Sequence, residues 1–390
     1  MTTGTRAAPA SRSDEHREFR QVCRAFVRDR VLPVTEEAER TRTFPAELWP
    51  AMGEAGLLGI GFPEEHGGTG GDTTALAILA EELATASGGM AITPLVSSSM
   101  AAPHLVRFGS EAQRARYLPE IAAGRSIAAI AVTEPDAGSD VAGIRTAATS
   151  DGDEWVLRGT KMFITNGGIA DVLVVAARTD PDSRHGGITM FLVERGDAGF
   201  HVGRPLSKMG WHASDTRELT FDDCRIPAGR VVGGIGEGFA QIMQAFQTER
   251  IVLAAMGVGL ARAALEDALV HAKERHAFGA PIASFQVLRH KLAEMAAQVE
   301  TARVLTLAAA ARLDAGPGMD PEVLFAVATA KLVAGRVANR VADDAVQIFG
   351  GYGFIEETRV AMHYRDARVL RIGGGTDEIQ LEILAKHLGL

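Results

Sequence analysis

Ile127-Ala128-Ala129-Ile130-Ala131-Val132-Thr133-Glu134-Pro135-Asp136-Ala137-Gly138-Ser139-Asp140 is where the texture of the chain changes. The short apolar run Ile127–Val132 reads as a strand, and it closes on a tight turn marked by Pro135 and Gly138. Upstream, residues 14 to about 125 read as helices. Phe19, Val22, Cys23, Phe26 and Val27 recur at helical spacing, Pro33 and Pro45 punctuate, and Gly67–Gly71 is a loop. Thr74–Ala86 reads as an amphipathic helix with Glu81 and Glu82 turned to solvent. Downstream the strands continue: Glu154–Leu157 after the hairpin signal Asp151-Gly152, then Asp171–Ala177, Gly187–Val193 and Glu218–Phe221.

From about Gly234 helical periodicity returns. Gly238–Glu274 presents an apolar face at Ile242, Phe246, Leu253 and Leu260. Helices over Pro281–Ala315 and Pro321–Phe349 follow, separated by the turn Gly316-Pro317-Gly318. The expected fold class is therefore α+β. It comprises a disordered lead (1–13), a helical domain (14–126), a β domain (127–233) and a C-terminal helical domain (234–390).

Composition narrows the function. The chain has 390 residues, 46% hydrophobic and 23% charged, which exceeds one core of about 250–300 residues. A net charge of −9 without a basic block argues against nucleic acid and anionic membrane as partners. No apolar run reaches the roughly 18 residues of a membrane span. Met1–Ser13 has no apolar core of a secretory signal. Two distant cysteines, Cys23 and Cys224, exclude a disulfide framework and fit a cytoplasmic setting. The histidines show no paired metal spacing, so no metal is expected, and the common nucleotide fingerprints are absent.

Four further stretches carry chemistry. The turn Thr133–Asp140 offers a hydroxyl and backbone N–H groups around Gly138 and Ser139, which suits an anionic or heteroaromatic ligand and is equally what a surface loop would contain. In Lys161-Met162-Phe163-Ile164-Thr165-Asn166-Gly167-Gly168, strand alternation puts Phe163 and Thr165 on one face. An aromatic ring beside a hydroxyl suits a flat polar cofactor; a core Phe and a strand Thr is the plainer alternative. Arg275, Phe278, Gly279, Pro281 and Gln286 join two long helices. Ala345-Val346-Gln347-Ile348-Phe349-Gly350-Gly351-Tyr352-Gly353 ends a helix with more glycines than a C-cap needs.

Together these blocks resemble the acyl-CoA dehydrogenase family of flavoproteins. The resemblance rests on Thr-Glu-Pro-x-Ala-Gly-Ser-Asp, Lys-Met-x-Ile-Thr-Asn-Gly, Glu-Arg-x-x-Phe-Gly, Gln-Ile-x-Gly-Gly-x-Gly and Tyr-Arg-Asp-Ala-Arg, in family order from residue 14 onward. It implies an N-terminal helical domain, a β-barrel domain and a C-terminal four-helix bundle. It also implies FAD. Val132, Thr133, Gly138, Ser139, Phe163 and Thr165 would hold the flavin within one subunit. Arg275, Phe278, Gln286, Gln347 and Gly351 would reach the adenosine and pyrophosphate from a neighbour, and Thr376 and Glu378 would also contact FAD. Phe163 stands where members often have tryptophan. A homo-oligomer, a dimer of dimers, and electron-transferring flavoprotein as acceptor are implied.

The family reaction takes a proton from the α-carbon and a hydride from the β-carbon of an acyl-CoA thioester. Most members keep the base, a glutamate, at the position that is Gly374 here, within Gly373-Gly374-Gly375. On Ile242–Leu260 the only charges are Glu249 and Arg250, and Glu249 has Ala245, Phe246, Val252 and Leu253 at helical contact spacing. A carboxylate among apolar residues favours protonation, which raises its pKa toward the range useful to a base. By itself a solvent-facing Glu–Arg step, or an ion pair with a distant arginine, is an alternative. The resemblance to the isovaleryl-CoA and long-chain branches, which carry the glutamate here, assigns Glu249 as base. The Gly374 N–H would polarise the thioester, and Ser139, Arg250 and Gly373 would contact substrate. The substrate expectation is a long or branched acyl-CoA, with an acyl carrier protein thioester as an alternative. A flavin monooxygenase, a nitroalkane-type oxidase and a non-catalytic partner subunit on the same fold are the competing classes.

Overall fold

The computed structural model describes residues 14–316 and 318–390; the expected disordered lead and Pro317 of the expected turn lie outside the described residues. Helices α1 (Asp14–Phe26), α2 (Leu32–Thr41), α3 (Leu48–Glu54), α4 (Thr73–Ala84), α5 (Gly88–Leu95), α6 (Ala102–Phe108) and α7 (Glu111–Ala122) come first. Strands β1 (Ala128–Ala131), β2 (Ala147–Asp151), β3 (Glu154–Thr165), β4 (Val172–Arg178), β5 (Ile188–Glu194), β6 (Phe200–Pro205), β7 (Thr216–Pro227) and β8 (Val231–Val232) follow. Then come α8 (Gly238–Glu274), the small strands β9 (His276–Ala277) and β10 (Ala280–Pro281), α9 (Gln286–Ala315), α10 (Pro321–Phe349), α11 (Arg359–Ala367) and α12 (Asp377–His387). The chain divides into two compact units. One holds the chain up to Leu32 with Gly71–Ser87 and Arg250–Leu390, and the other holds Pro33–Gly70 with Gly88–Glu249.

The second unit is built on a mixed sheet in the order β6-β7-β3-β2-β4-β5-β8, with β1 paired in parallel to β4. Its central strands β4 and β5 are apolar on both faces because both faces are covered, whereas β2 and β6 are largely exposed. Along β4, Val172, Val174 and Ala176 pack with residues of α6 and α7, such as Leu105, Leu118 and Ile121. Leu173, Val175 and Ala177 point the other way, into a core with Trp155, Phe191, Leu219, Phe221 and Ile226. That second core is walled by residues of β1 to β7, which is the barrel-like arrangement expected. The β2–β3 hairpin pairs Asp151 with Glu154, as its turn signal required. The α5–α6 stretch is interrupted by a π-helical turn, Val96–Ala101, just after Pro94, whose missing N–H breaks the helical ladder.

The first unit is a helical bundle in which α10 packs on α9, α11 and α12, and α4 packs on α1 and α9. Small residues set the distances. A Cβ on Gly259 would lie 2.1 Å from the Glu81 carbonyl oxygen, and one on Gly257 would lie 3.1 Å from that of Ala334. So α8 approaches α4 and α10 through its backbone. Helix α9 begins at Gln286 rather than Pro281, because Ala280–Pro281 pairs with His276–Ala277 in a hairpin. Val22, expected on the apolar face of α1, is exposed.

The exposure expected for Glu81 and Glu82 is wrong. Each is 2% exposed, because α4 is covered on every side and arginines from α1 and α8 meet its carboxylates. Arg20 Nη1 lies 2.6 Å from Glu82 Oε1 and Arg262 Nη2 lies 2.6 Å from Oε2. Burial would raise the Glu82 carboxyl, but Arg262, with Arg24 and Arg20, outweighs it and holds it below its ordinary 4.5. A depressed folded-state pKa stabilises above the unfolded value and loses that contribution as pH falls through the folded one. Glu82→Gln should therefore cost about 3 kcal/mol near neutral pH. The gap from wild type should narrow as pH falls below the ordinary carboxylate value of about 4.5. Urea unfolding of both proteins across this range checks it, and a gap that does not narrow would contradict the ion-pair account.

Candidate active site

In the second unit, the turn after β1 and the end of β3 form one platform. Met162 N–H donates to the Thr133 carbonyl at 2.9 Å, and Glu134 and Ala137 close the turn through paired backbone bonds of 2.9 and 3.2 Å. Beneath it lies Lys161, wholly buried, whose Nζ donates to the Val132 carbonyl at 2.9 Å and to Glu134 Oε1 at 2.8 Å. Glu134 also accepts from the backbone N–H of Arg145 at 2.6 Å and Thr146 at 2.9 Å. Burial pushes the Lys161 ammonium down to about 8, partly offset by Glu134. Burial works against the Glu134 carboxylate too, but Lys161 and these hydrogen bonds hold its pKa below the ordinary value.

Above the pair, Phe163 is 66% exposed and has φ +61°. A register shift between Lys161 and Ile164 marks a bulge there, so the simple alternation that puts Phe163 and Thr165 on one face applies only beyond it: Ile164 is buried and Thr165 half-buried. A large apolar ring, held in a left-handed backbone that disfavours L residues and facing solvent, is a costly arrangement. A flat ring stacked on it would relieve the exposure. Gly138 has open space over its Cβ position and Ser139 is exposed, so a ligand can reach the turn's backbone. Val132 is buried and Thr133 half-buried. These features fit an isoalloxazine.

In the first unit the other expected residues fall into two groups. Phe278 and Gly279, at φ +51° and +83°, form the two-residue turn between β9 and β10, and Phe278 is 98% exposed. Phe278 contacts Phe285 edge-on at 6.2 Å, next to Gln286. Arg275 lies 5.9 Å from the Tyr352 ring and His271 stacks on Phe349 at 4.1 Å, which brings the exposed Gln347 and Gly351 to the same end. This exposed aromatic, guanidinium and amide set fits the adenosine and pyrophosphate half of FAD. Thr376 and Glu378 form no hydrogen bond to that set among the described residues.

They belong to the second group, around the glycine run. Gly374 and Gly375 have φ +64° and +91°. Arg250, buried, donates from Nε to the Gly374 carbonyl at 3.3 Å. Thr376 caps α12 by accepting from Ile379 N–H at 3.3 Å. Gly373 is half-buried and Glu378 exposed. Glu249, half-buried on α8 within the second unit, follows Thr248, whose hydroxyl accepts from Arg107 Nη2 at 3.2 Å. Sequence reasoning passed over Arg107, Lys161, Lys331 and Gln380. Only Lys161 carried a signal, an ammonium heading an apolar strand.

Residues 13–125, 129–224 and 236–389 match the models of the acyl-CoA dehydrogenase N-terminal, middle and C-terminal domains. The long-chain specific acyl-CoA dehydrogenase, mitochondrial, of Sus scrofa is 40% identical over 384 residues, 96% of this chain and 87% of that protein. The chain belongs to the acyl-CoA dehydrogenase family. A probable acyl-CoA dehydrogenase from Mycobacterium abscessus, whose crystal structure is solved, is 43% identical with a TM-score of 0.93, covering 97% of this chain and 100% of that one. A Mycobacterium smegmatis glutaryl-CoA dehydrogenase solved in complex with FADH2 is 30% identical with a TM-score of 0.90, covering 96% and 95%. As an acyl-CoA dehydrogenase, the chain is an FAD-dependent oxidoreductase of acyl-CoA thioesters. No helix among the described residues is long and apolar enough to cross a membrane.

Proposed function

We propose that this acyl-CoA dehydrogenase acts on long or branched-chain acyl-CoA, with Glu249 as the base. One observation carries the assignment. The run Gly373–Gly375 has no carboxylate, and Glu249 is the only one on Ile242–Leu260, directly before the arginine hydrogen-bonded to Gly374. In this reading Glu249 takes the α-proton. The Gly374 N–H hydrogen-bonds the thioester oxygen as negative charge grows there, which acidifies that proton. Ser139 and Arg250 contact the thioester and its pantetheine arm, and Gly373 leaves room beside the acyl carbons. FAD, when bound, supplies the acceptor for the β-hydride at flavin N5. Val132, Thr133, Gly138, Ser139, Phe163 and Thr165 would hold its flavin, Arg275, Phe278, Gln286, Gln347 and Gly351 of a neighbouring copy its adenosine end, and Thr376 and Glu378 would also contact it.

The same reading includes a homo-oligomeric dimer of dimers, electron-transferring flavoprotein as acceptor, a cytoplasmic setting and the division 14–126, 127–233 and 234–390. Anaerobic bleaching of the flavin by a panel of straight and branched acyl-CoAs tests the substrate. Long or branched thioesters should exceed butyryl-CoA in kcat/KM by about tenfold or more, the discrimination an apolar pocket gives. Preference for butyryl-CoA would sink the substrate reading. Preference for the acyl carrier protein thioester would move it to biosynthesis. Reoxidation by air as fast as by a dye acceptor would move it to the oxidase class.

A further inference from the structure

Side chains from three helices converge on the carbonyls of the glycine run. Arg250 Nε on α8 donates to the Gly374 oxygen at 3.3 Å. Gln380 Nε2 on α12 donates to the oxygens of Gly374 at 3.3 Å and Gly375 at 3.0 Å. Lys331 Nζ on α10 donates to the Gly375 oxygen. Upstream, Gly373 N–H donates to the Val369 carbonyl at 2.8 Å. The peptide joining Gly373 to Gly374 therefore lies between anchored neighbours, and its own N–H makes no hydrogen bond among the described residues.

We propose that Lys331 and Gln380 are positioning residues that hold the glycine run so that the Gly374 N–H stays aimed at the thioester oxygen. The inference rests on the role given to Gly374 above. Three consecutive glycines have more backbone freedom than any other tripeptide, and they have no side chains to pack. Such a segment is fixed only through its main chain. A donor that stabilises developing charge works because it is fixed before the charge appears; a mobile N–H loses that advantage to reorganisation. The fastening is deliberate in its cost. Lys331 is 1% exposed among the buried Ala330, Leu332 and Ala334, and burying an ammonium is unfavourable unless its protons are taken up. Gln380 is wholly buried. Neither is among the residues assigned to FAD or to proton abstraction, although the Gln380 backbone N–H donates to the Thr376 carbonyl at 3.0 Å. A bond from a charged donor is roughly twice as strong as a neutral one, so Lys331 is the firmer clamp.

The test uses the holoenzyme and 3-thiadodecanoyl-CoA, whose β-sulfur cannot yield a hydride. Loss of its α-proton beside oxidised flavin gives a long-wavelength absorption band, so a pH titration of that band reads the acidity of the bound thioester. In Lys331→Met and Gln380→Leu the midpoint should rise by about one pH unit, a tenfold loss of acidification. Turnover should fall with KM little changed, and Lys331→Arg should titrate close to wild type. A purely structural role would lower thermal stability and leave the midpoint in place. If Lys331→Met does not fold, Gln380→Leu decides. Wild-type midpoints in the folded variants overturn the clamp. Wild-type protein reconstituted with 2′-deoxy-FAD separates the two ideas, because the family resemblance implies that a ribityl hydroxyl of the flavin joins the Gly374 N–H at the thioester oxygen. A shift there without one in the variants removes only the clamp; no shift in either removes the polarisation reading with it.

Discussion

Glu249→Gln is expected to bind FAD as the wild type does and to be bleached by its best acyl-CoA about 10³-fold more slowly, within the range general base catalysis supplies. Glutamine keeps the shape and half-buried position of Glu249 but cannot take a proton. None of the residues expected to hold FAD lies on this part of α8, so the flavin content and its spectrum should not change. The effect should fall on kcat rather than on KM, because the role proposed for Glu249 is to take the proton in the transition state. The measurement is stopped-flow anaerobic reduction at saturating acyl-CoA. A rate near that of the wild type would mean another group takes the proton, and the displaced-base reading would fall with it.

Much of this fold was legible because its signals are local. Helix α8 was bounded at Gly238–Glu274 from periodicity alone, and the β2–β3 hairpin from one dipeptide. What failed was what depends on distant partners. Glu81 and Glu82 look like the polar face of an amphipathic helix, and nothing near them in sequence says that Arg20, Arg24 and Arg262 will meet them inside the bundle. A charge is placed outside by default because burial is unfavourable, and the default breaks when its counter-charge arrives from far along the chain.

The site divides in the same way. Phe163 is legible as an aromatic ring in a strand motif, and its exposure and positive φ add a physical reason that alternation alone does not give. Lys331 could not have been singled out. In Ala330-Lys331-Leu332 it looks like one more solvated lysine on an alanine-rich helix, and only the fold brings it to Gly375. The glycine run was legible as a gap in the expected chemistry. That its carbonyls are tied down from three helices was not, since hydrogen bonds from side chains to backbone leave no pattern in a sequence.

Lys161→Met is expected to cost about 3–5 kcal/mol of stability. Lys161 is wholly buried and supplies both the Val132 carbonyl and Glu134 with a donor. Methionine fills much of the same volume, so the loss is electrostatic rather than one of packing. It leaves a buried carboxylate with only the backbone N–H groups of Arg145 and Thr146, and an orphaned carbonyl at the turn expected to face the flavin. FAD retention should fall together with stability, since the turn and β3 are joined through this pair. The double variant Lys161→Met/Glu134→Gln separates charge from shape. It removes both buried charges, and the glutamine Oε1 can still accept from the backbone, so most of the lost stability should return. Thermal unfolding and flavin release on dilution, at neutral pH where the ammonium is still charged, measure both. A double variant no more stable than Lys161→Met would show that the pair holds the turn by its geometry, and that the unpaired carboxylate is not the source of the damage.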